Sequence, residues 1–137
     1  MRVLHFLAVG MWTGLLAAEV ILEWSCREGA AARTAAVVHY WLDLLVEAPL
    51  VLAVTASGAY LLLGAWPPGP VLAWKLALGA VPIVSCCWSI TLVVRRYGRR
   101  DEPEALAAGR RRVLLSALAV GPGVVALYLG LRLQGLM

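Results

Sequence analysis

Ionisable side chains recur at helical spacing early in the sequence, inside segments that are otherwise apolar. Glu19 and Glu23 are four residues apart, and His39, Asp43 and Glu47 follow at the same interval. Because residues four apart share one face of an α-helix, this spacing predicts two polar stripes. Charged groups are expensive inside a membrane and usually mark a functional site there. These five residues are therefore the first candidates for chemistry.

The ligand types in these stripes favour a bound metal ion. Three carboxylates and one imidazole form an oxygen and nitrogen set: Glu19, Glu23, His39 and Asp43. Such a set suits Fe, Mn or Zn better than Cu(I), which prefers sulfur. Di-metal proteins among helical bundles use Glu and Glu-x-x-His ligands. The ligand types here match that set, but their spacing along the sequence differs from it. We predict a transition metal site (Fe, Mn, Zn or Cu) at these four residues, with Glu47 carrying protons or ions toward mid-membrane.

Two other interpretations of the stripes stay open. One places Glu23, His39 and Asp43 in the lipid headgroup layer, because the second helix is long enough for its first turns to protrude. These side chains would then pair with Arg27 or Arg33. The other treats the deeper carboxylates as members of a proton relay or of a buried ion pair.

The elements that position these residues are four long apolar stretches. The 137-residue chain is 62% hydrophobic and 15% charged, whereas about 45–50% apolar residues is usual for soluble domains. Each stretch approaches or exceeds the ~20 residues that a helix needs to cross the hydrocarbon core. The sequence therefore predicts an all-α polytopic membrane protein, a four-helix transmembrane bundle that forms a single domain, 1–137. Its helices are expected at about 3–24, 36–64, 71–95 and 112–133.

Basic residues are concentrated between the third and fourth apolar stretches. Residues 95–112 contain seven arginines and three acidic residues. By the positive-inside rule this basic loop is cytoplasmic, and both termini lie outside a bacterial-type inner membrane. Within the loop, Asp101 is predicted to cap a short helix that begins near Pro103. The net charge of +4 arises from this loop rather than from a groove-binding face, which excludes nucleic acid as a partner.

A short connection makes the first two helices antiparallel neighbours. With equal rise per residue, the four predicted metal ligands fall within about two helical turns in depth. Spacing alone does not say whether the two stripes face each other. The later helices each contain a proline near the middle, which predicts kinks: Pro49, Pro82 and Pro122.

A second pair of candidates, His5 and Lys75, lies toward the opposite membrane face. His5 is about 21 Å along the first helix from Glu19, which excludes it from the acidic group. His5 and His39 therefore cannot be the two axial ligands of one haem. A single contact from His5 to a haem or porphyrin stays open. The alternative is that His5 is an interfacial residue and that Lys75 extends its ammonium group to the interface.

Three short segments resemble a known group of proteins. Residues 4–14, LHFLAVGMWTG, are similar to a first-helix motif, LHxxAxxxWxGG. The segment VTASGAYLL, which begins at residue 54, resembles a second-helix ending in TGxYLL, and residues 74–80, WKLALGA, resemble a third-helix start, WxxKLxL. In this order the segments are similar to those of small four-helix proteins related to the CopD-type copper-resistance and HemJ-type protoporphyrinogen oxidase families.

This resemblance implies a four-helix fold and ties His5 and Lys75 to haem, porphyrin or copper handling. The sequence departs from these families in three ways. It lacks the Asn-Glu-x-Pro signature of HemJ-type proteins, it has Cys86 and Cys87 in place of a further histidine, and its acidic stripes belong to neither family. The resemblance therefore supports the fold and a metal or tetrapyrrole ligand, but not protoporphyrinogen oxidation.

Four functions follow from these observations. The first is an integral membrane metal-binding protein, in metal handling or as a small metal-dependent redox protein. The second is a haem- or porphyrin-binding protein that uses His5 and Lys75. The third is a non-catalytic accessory subunit, and the fourth is an ion or proton transporter that uses Glu19 and Glu47.

The sequence also limits the partners and the reactions. Besides the lipid bilayer, the expected partners are other membrane subunits or a second copy of the chain, since Gly10 and Gly14 form a GxxxG face suited to helix contact. No nucleophile–base pair, phosphate-binding loop or hydrolase motif occurs in the sequence. This absence argues against a hydrolytic or nucleotide-using enzyme, and whether the protein is an enzyme of another kind stays an open question.

Overall fold

The computed structural model describes residues 1–133, which form α-helices joined by short turns. In chain order the helices are α1 (Arg2–Ser25), α2 (Gly29–Leu42), α3 (Ala48–Leu63), α4 (Pro70–Gly98), α5 (Pro103–Ser116) and α6 (Val120–Arg132). A π-helical turn, Asp43–Glu47, joins α2 to α3, and a 3-10 turn, Ala117–Ala119, joins α5 to α6. Each of these two pairs forms one continuous helical rod. Residues 1–133 therefore form a bundle of four rods, which are α1, α2 with α3, α4, and α5 with α6. Residues 1–133 contain no β-strand.

All four rods are long and apolar enough to cross a membrane. Large apolar side chains point outward from them, such as Leu63 at 81% exposure and Val3 at 73%. Such an apolar exterior is suited to lipid rather than to water. Within residues 1–133 the interior instead holds eight buried polar or charged residues: His5, Glu19, Glu23, His39, Asp43, Glu47, Ser57 and Arg96. The predicted all-α four-helix bundle is confirmed, and its membrane-spanning helices imply a bilayer environment.

The predicted helix ends are wrong on the side of the bundle that carries the basic residues. The second rod begins at Gly29 rather than at 36, the third continues to Gly98, and the fourth begins at Pro103 rather than at 112. The predicted loop 95–112 is therefore mostly helical, with only residues 99–102 between α4 and α5. Hydropathy located the apolar part of each helix, but arginine, alanine and glutamate are also good helix formers.

The short connector between α4 and α5 corrects the predicted cap. A helix does begin at Pro103, but Asp101 does not cap it, because the N-cap is Glu102 and its side chain makes no cap hydrogen bond. Asp101 instead pairs with Arg33 at 2.7 Å. Glu102 accepts hydrogen bonds from Arg99, which lower the pKa of the Glu102 carboxyl.

Helix α4 is the element around which the others pack. It packs against both helices of the fourth rod, α5 and α6, and against α2 of the second rod. Helix α1 packs against α3, the other helix of the second rod. The predicted contact between the first and second membrane helices is thereby confirmed. The apolar core at the centre of the bundle consists of Ala8, Trp12, Val51, Val54 and Cys86.

Each predicted proline lies in or beside a backbone irregularity. Pro82 lies inside α4, where it lacks the N–H that would bond to the carbonyl four residues earlier. Pro49 lies two residues after the π-helical turn, and Pro122 lies three residues after the 3-10 turn. Such turns inside helices accommodate a residue that cannot continue the α-helical hydrogen-bond pattern.

The GxxxG face lies on the outside of the bundle. Gly10 and Gly14 are exposed, and a Cβ atom added at either position would meet no heavy atom of residues 1–133 within 4 Å. The two glycines therefore make no close helix contact inside the described bundle.

Candidate metal centre

His39 lies at the centre of a buried group of acidic side chains. Its Nδ1 is 2.8 Å from Glu23 Oε1, and its Nε2 is 3.2 Å from Asp43 Oδ1 and 3.6 Å from Glu19 Oε2. Helix α1 contributes the two glutamates, α2 contributes the histidine, and the aspartate begins the π-helical turn. None of the four residues is more than 4% exposed. The two polar stripes of the sequence therefore face each other.

Glu23 fixes the orientation of the imidazole ring. Its Oε1 accepts a hydrogen bond from Arg96 Nη1 and lies within hydrogen-bond distance of His39 Nδ1. With Glu23 ionised by its pairing with Arg96, Nδ1 is the donor, and the Nε2 of a neutral imidazole then carries the lone pair. Carboxylates orient metal-binding histidines in this way. A potential ligand atom is thus directed toward Glu19 and Asp43.

Glu19, His39 and Asp43 each offer one atom to a common point. The three atoms all lie within 4.8 Å of one another. Ligands at about 2.0–2.2 Å from a metal ion lie up to about 4.4 Å apart. Small rotations of the two carboxylates would therefore bring the three residues to bonding distance of one ion.

Several oxygens of this group have no hydrogen-bond partner among residues 1–133. They are Glu19 Oε1, Glu23 Oε2 and both carboxylate oxygens of Asp43. An ionised carboxylate that is buried without a partner costs several kcal/mol, so these oxygens require protons or a cation. A cavity of about 40 Å³, the acidic cavity, is lined by Glu19, Glu23 and His39. A space of this size admits water or a metal ion.

Glu47 lines the same acidic cavity from the end of the π-helical turn. Its Oε1 accepts a 3.0 Å hydrogen bond from Trp12 Nε1, and the glutamate is 1% exposed. Trp12 thereby holds the Glu47 carboxylate in one orientation, in the interior of the bundle. Glu47, the residue predicted to carry protons or ions, therefore lines the same cavity as Glu19, Glu23 and His39 of the predicted metal site.

Arg96 is a residue of the candidate site that the sequence analysis missed. It is 3% exposed and pairs with Glu23, whereas the sequence suggested a place in a solvated loop. Its side chain crosses α5 at Gly109, where a Cβ atom would lie 3.0 Å from Arg96 Cγ and Cδ. A usable signal was present, because Arg96 follows Cys86, Ser89 and Val93 at helical spacing on one face of α4.

Helix α4 gives the acidic cavity a second set of polar groups, also missed from the sequence. Ser85, Cys86 and Ser89 line the cavity together with Ser116 of α5. Ser85 donates to the Ser116 carbonyl at 2.9 Å, and the Ser116 and Ser89 hydroxyls are 3.1 Å apart. These contacts join α4 to α5 and leave hydroxyl and thiol groups beside the carboxylates.

His5 and Lys75 lie together at a different cavity, toward the N-terminal end of the bundle. This large cavity has a volume of about 700 Å³ and a mostly apolar lining. The lining residues within 1–133 include the cationic side chains of Arg2 and Lys75 and no acidic residue. Volumes of about 300–1,000 Å³ are typical of sites for organic ligands. The structure thus separates His5 and Lys75 from the acidic residues.

The imidazole of His5 has one nitrogen engaged and one available. Ser57 Oγ donates its single hydrogen to the Ala53 carbonyl at 2.5 Å, so His5 Nδ1, at 2.9 Å, donates to Ser57 Oγ. In the neutral ring Nε2 then carries a lone pair. The ring packs on Gly58, where a Cβ atom would lie 3.3 Å from His5 Cε1. Lys75 makes no ion pair within residues 1–133.

Comparisons with protein-family models, with curated proteins and with solved structures find no match for this chain. The resemblance to the CopD-type and HemJ-type families stays a prediction, and the function has to be argued from the chain's own residues.

Proposed function

We propose that the protein binds a transition metal ion within the membrane at Glu19, His39 and Asp43. Glu23 orients His39 and closes the site on its other side. The role that follows is metal handling, or a small metal-dependent redox function. Oxygen and imidazole ligands favour Fe, Mn or Zn over Cu(I).

The geometry of His39 is the observation that carries this proposal. One ring nitrogen is held by Glu23 at 2.8 Å, while the other faces Asp43 and Glu19 at 3.2 and 3.6 Å. The faced carboxylates have oxygens without a hydrogen-bond partner among residues 1–133. A histidine with a fixed tautomer and two free carboxylates is a usual ligand set for a divalent cation.

The charge of the group also supports a cation. Four buried carboxyl side chains lie in or beside the candidate site, those of Glu19, Glu23, Asp43 and Glu47. In residues 1–133 they are faced by one buried guanidinium, that of Arg96, and by the imidazole of His39. Unpaired negative charge is strongly unfavourable in a low-dielectric interior. A divalent ion offsets two charges and supplies the electrophilic partner that the free oxygens lack.

Metal content and ligand variants test the proposal together. Purified in mild detergent and reconstituted with Zn²⁺ or Mn²⁺, the wild type should retain about one equivalent or more, measured by inductively coupled plasma mass spectrometry. Glu19→Gln and Asp43→Asn each keep the side-chain shape but remove an anionic ligand, so each should lose the metal. Glu102→Gln is the matched control, because this glutamate lies in the connector and pairs with Arg99.

Two results would contradict the proposal. One is a wild type that retains no metal after reconstitution while remaining folded by circular dichroism. The other is a Glu19→Gln/Asp43→Asn double variant that binds metal as tightly as the wild type.

The large cavity supports a second candidate function, haem or porphyrin binding. Its volume of about 700 Å³ suits a tetrapyrrole, His5 Nε2 is available as an axial ligand, and Lys75 would pair with a carboxylate of the ligand. The purified protein should then show a Soret band that His5→Ala abolishes and His39→Ala leaves unchanged. Absence of the band from protein supplied with haemin would exclude this function.

A further inference from the structure

The large cavity changes in character along its length. One end contains the cationic side chains of Arg2 and Lys75, together with His5. From the level of His5 the lining continues along α1 to Leu16, and along α6 it reaches Val120. At helical rise the distance along α1 is about 16–17 Å, close to the ~15 Å that one leaflet contributes to the hydrocarbon core. The cavity is therefore about as long as a lipid chain, and its cations lie at one end.

The side chain of Lys75 lies across the bundle. Pro82 of α4 packs beside Gly123 of the antiparallel α6, where an added Cβ atom would lie 3.3 Å from Pro82 Cγ. Gly130 is level with Lys75, because each is seven residues along its helix from that contact. A Cβ atom at Gly130 would lie 2.9 Å from Lys75 Cε and 3.6 Å from Phe6 Cε1 of α1. The lysine therefore extends to α6 at its own level, instead of along α4 toward the interface.

The ammonium group of Lys75 lies in mostly apolar surroundings without an acidic partner. Lys75 makes no ion pair within residues 1–133, and the cavity lining in this range contains no acidic residue. The last four residues of the sequence, QGLM, contain no acidic side chain. A cation in apolar surroundings is unfavourable unless it is paired. The anionic head group of a ligand would supply the partner, and the exposed Arg2 adds positive charge at the same end.

Beyond the level of His5, the lining is suited to a hydrocarbon chain. Thr13 and Thr55 donate their hydroxyl hydrogens to carbonyls of their own helices, at 2.8 and 2.7 Å. Trp12 donates its indole N–H to Glu47. Within residues 1–133 these three are the polar side chains of that part of the lining, and their hydrogens are already bonded. An acyl chain would therefore pack there without leaving a donor unpaired.

We propose that the large cavity binds a long-chain fatty acid, with its carboxylate at Lys75 and its chain directed toward Trp12. A single carboxylate matches the one ammonium group that lies across the cavity, and one chain matches the length of the apolar part. This inference goes beyond the proposed metal site and does not require it. A tetrapyrrole would occupy the same space, so the two ligands of the large cavity exclude each other.

A photoreactive fatty acid tests the site. The probe is a palmitate analogue with a diazirine near its methyl end, irradiated with the protein in nanodiscs of zwitterionic phosphatidylcholine and mapped by mass spectrometry of peptides. Labelling should saturate at about one probe per chain and should fall on residues 9–16, 76–83 and 120–127, which contain the deep part of the lining. Excess palmitate should prevent the labelling, whereas hexadecanol, which has the same chain without the charge, should not.

Variants at two cations test the position of the head group. Lys75→Met should weaken binding of the probe by about 10-fold or more, because it removes a charged hydrogen-bond donor to the carboxylate. Arg132→Gln is the matched control, because Arg132 is exposed near the same end of α6, lies over the ring of Tyr128 and is absent from the cavity lining. Equal labelling of Lys75→Met and the wild type would contradict the inference.

Three results on the wild type, which need no variant, would also overturn the inference. The first is equal competition by hexadecanol and palmitate, which would mean that the cavity does not recognise the charge. The second is labelling that does not saturate and falls on outward-facing residues such as Leu63 and Val84, as expected for bulk lipid. The third is loss of the label with equimolar haemin but not with excess palmitate, which would assign the cavity to a tetrapyrrole.

Discussion

The two cavities of the bundle differ in size, lining and charge, although three residues, Leu16, Pro82 and Val120, line both of them. The acidic cavity has a volume of about 40 Å³ and is lined by three glutamates. The large cavity has a volume of about 700 Å³, is mostly apolar, and contains Arg2 and Lys75 as its charged residues within 1–133. Under the two proposed functions, a cation would occupy the first cavity and an organic ligand with negative charge would occupy the second.

The proposed functions require one small bundle to separate two kinds of ligand, and the difference in charge provides a means. Carboxylates repel anions and attract cations, and the effect is strong because the interior has a low dielectric constant. The cations at the large cavity have the opposite effect. The charge of each cavity therefore disfavours the ligand proposed for the other.

The largest expected effect is on the free energy of unfolding, when the buried cation beside the acidic cavity or the cation at the large cavity is replaced. Arg96 pairs with Glu23 in the acidic group, so Arg96→Leu removes the guanidinium partner of a buried carboxylate and should reduce the free energy of unfolding by on the order of 3–5 kcal/mol. Lys75 has no ion pair within residues 1–133, so Lys75→Met should be neutral or stabilising. Titration with sodium dodecyl sulfate in mixed micelles, followed by circular dichroism, measures both.

An exposed ion pair serves as the control for Arg96. Arg99 pairs with Glu102 on the surface of the connector, and exposed pairs contribute little to stability. Arg99→Gln should therefore leave the midpoint of the unfolding transition unchanged. Equal effects of Arg96→Leu and Arg99→Gln would show that burial of the first pair has no energetic consequence.

The fold was predictable because its signal is long and redundant. Four apolar stretches of about twenty residues leave few alternatives inside a membrane, and an error at one helix end does not change the bundle. The ends themselves were not predictable from hydropathy. Residues 95–98 and 103–111 are helical although charged side chains interrupt their apolar character, because helix propensity and tertiary packing continue the helix there.

The candidate site was predictable in its composition but not in its arrangement. Spacing placed Glu19 and Glu23 on one face of their helix and His39 and Asp43 on one face of the next. That these faces meet depends on the rotation of each helix about its own axis, which the sequence does not fix. The role of Arg96 was not predictable for a related reason. Its contact with Glu23 requires α4 to continue past the apolar stretch and requires the Arg96 side chain to pass beside Gly109.

The next effect tests whether the two histidines serve separate sites. His39→Ala should weaken Zn²⁺ binding by about 100-fold or more, because it removes a ligand whose orientation alone is worth about 10- to 100-fold. His5→Ala should leave the affinity unchanged, since His5 lies at the large cavity. Competition with a fluorescent zinc chelator measures both affinities. A similar loss in both variants would mean that the two cavities form a single site.

A smaller effect is expected at Trp12, which lines the large cavity and donates to Glu47 of the acidic cavity. Trp12→Phe removes this donor and should destabilise the protein by about 1–3 kcal/mol. Trp88→Phe is the control, because Trp88 is exposed on α4 and its loss should have little effect in detergent. If both variants unfold at the same detergent concentration, the hydrogen bond to Glu47 does not stabilise the bundle.

The smallest effect is expected at two glycines of the large cavity. A Cβ atom at position 58 would lie 3.3 Å from His5 Cε1, a tight contact, whereas at position 79 it would lie 3.8 Å from the Ala126 Cβ, an ordinary one. In helix interiors alanine is favoured over glycine by about 1 kcal/mol. Gly79→Ala should gain this stability, while in Gly58→Ala the displacement of the imidazole should offset it. The difference between the unfolding midpoints of the two variants in the detergent titration measures the effect of the contact with His5. Equal stabilisation by both changes would mean that the imidazole ring is not held against Gly58.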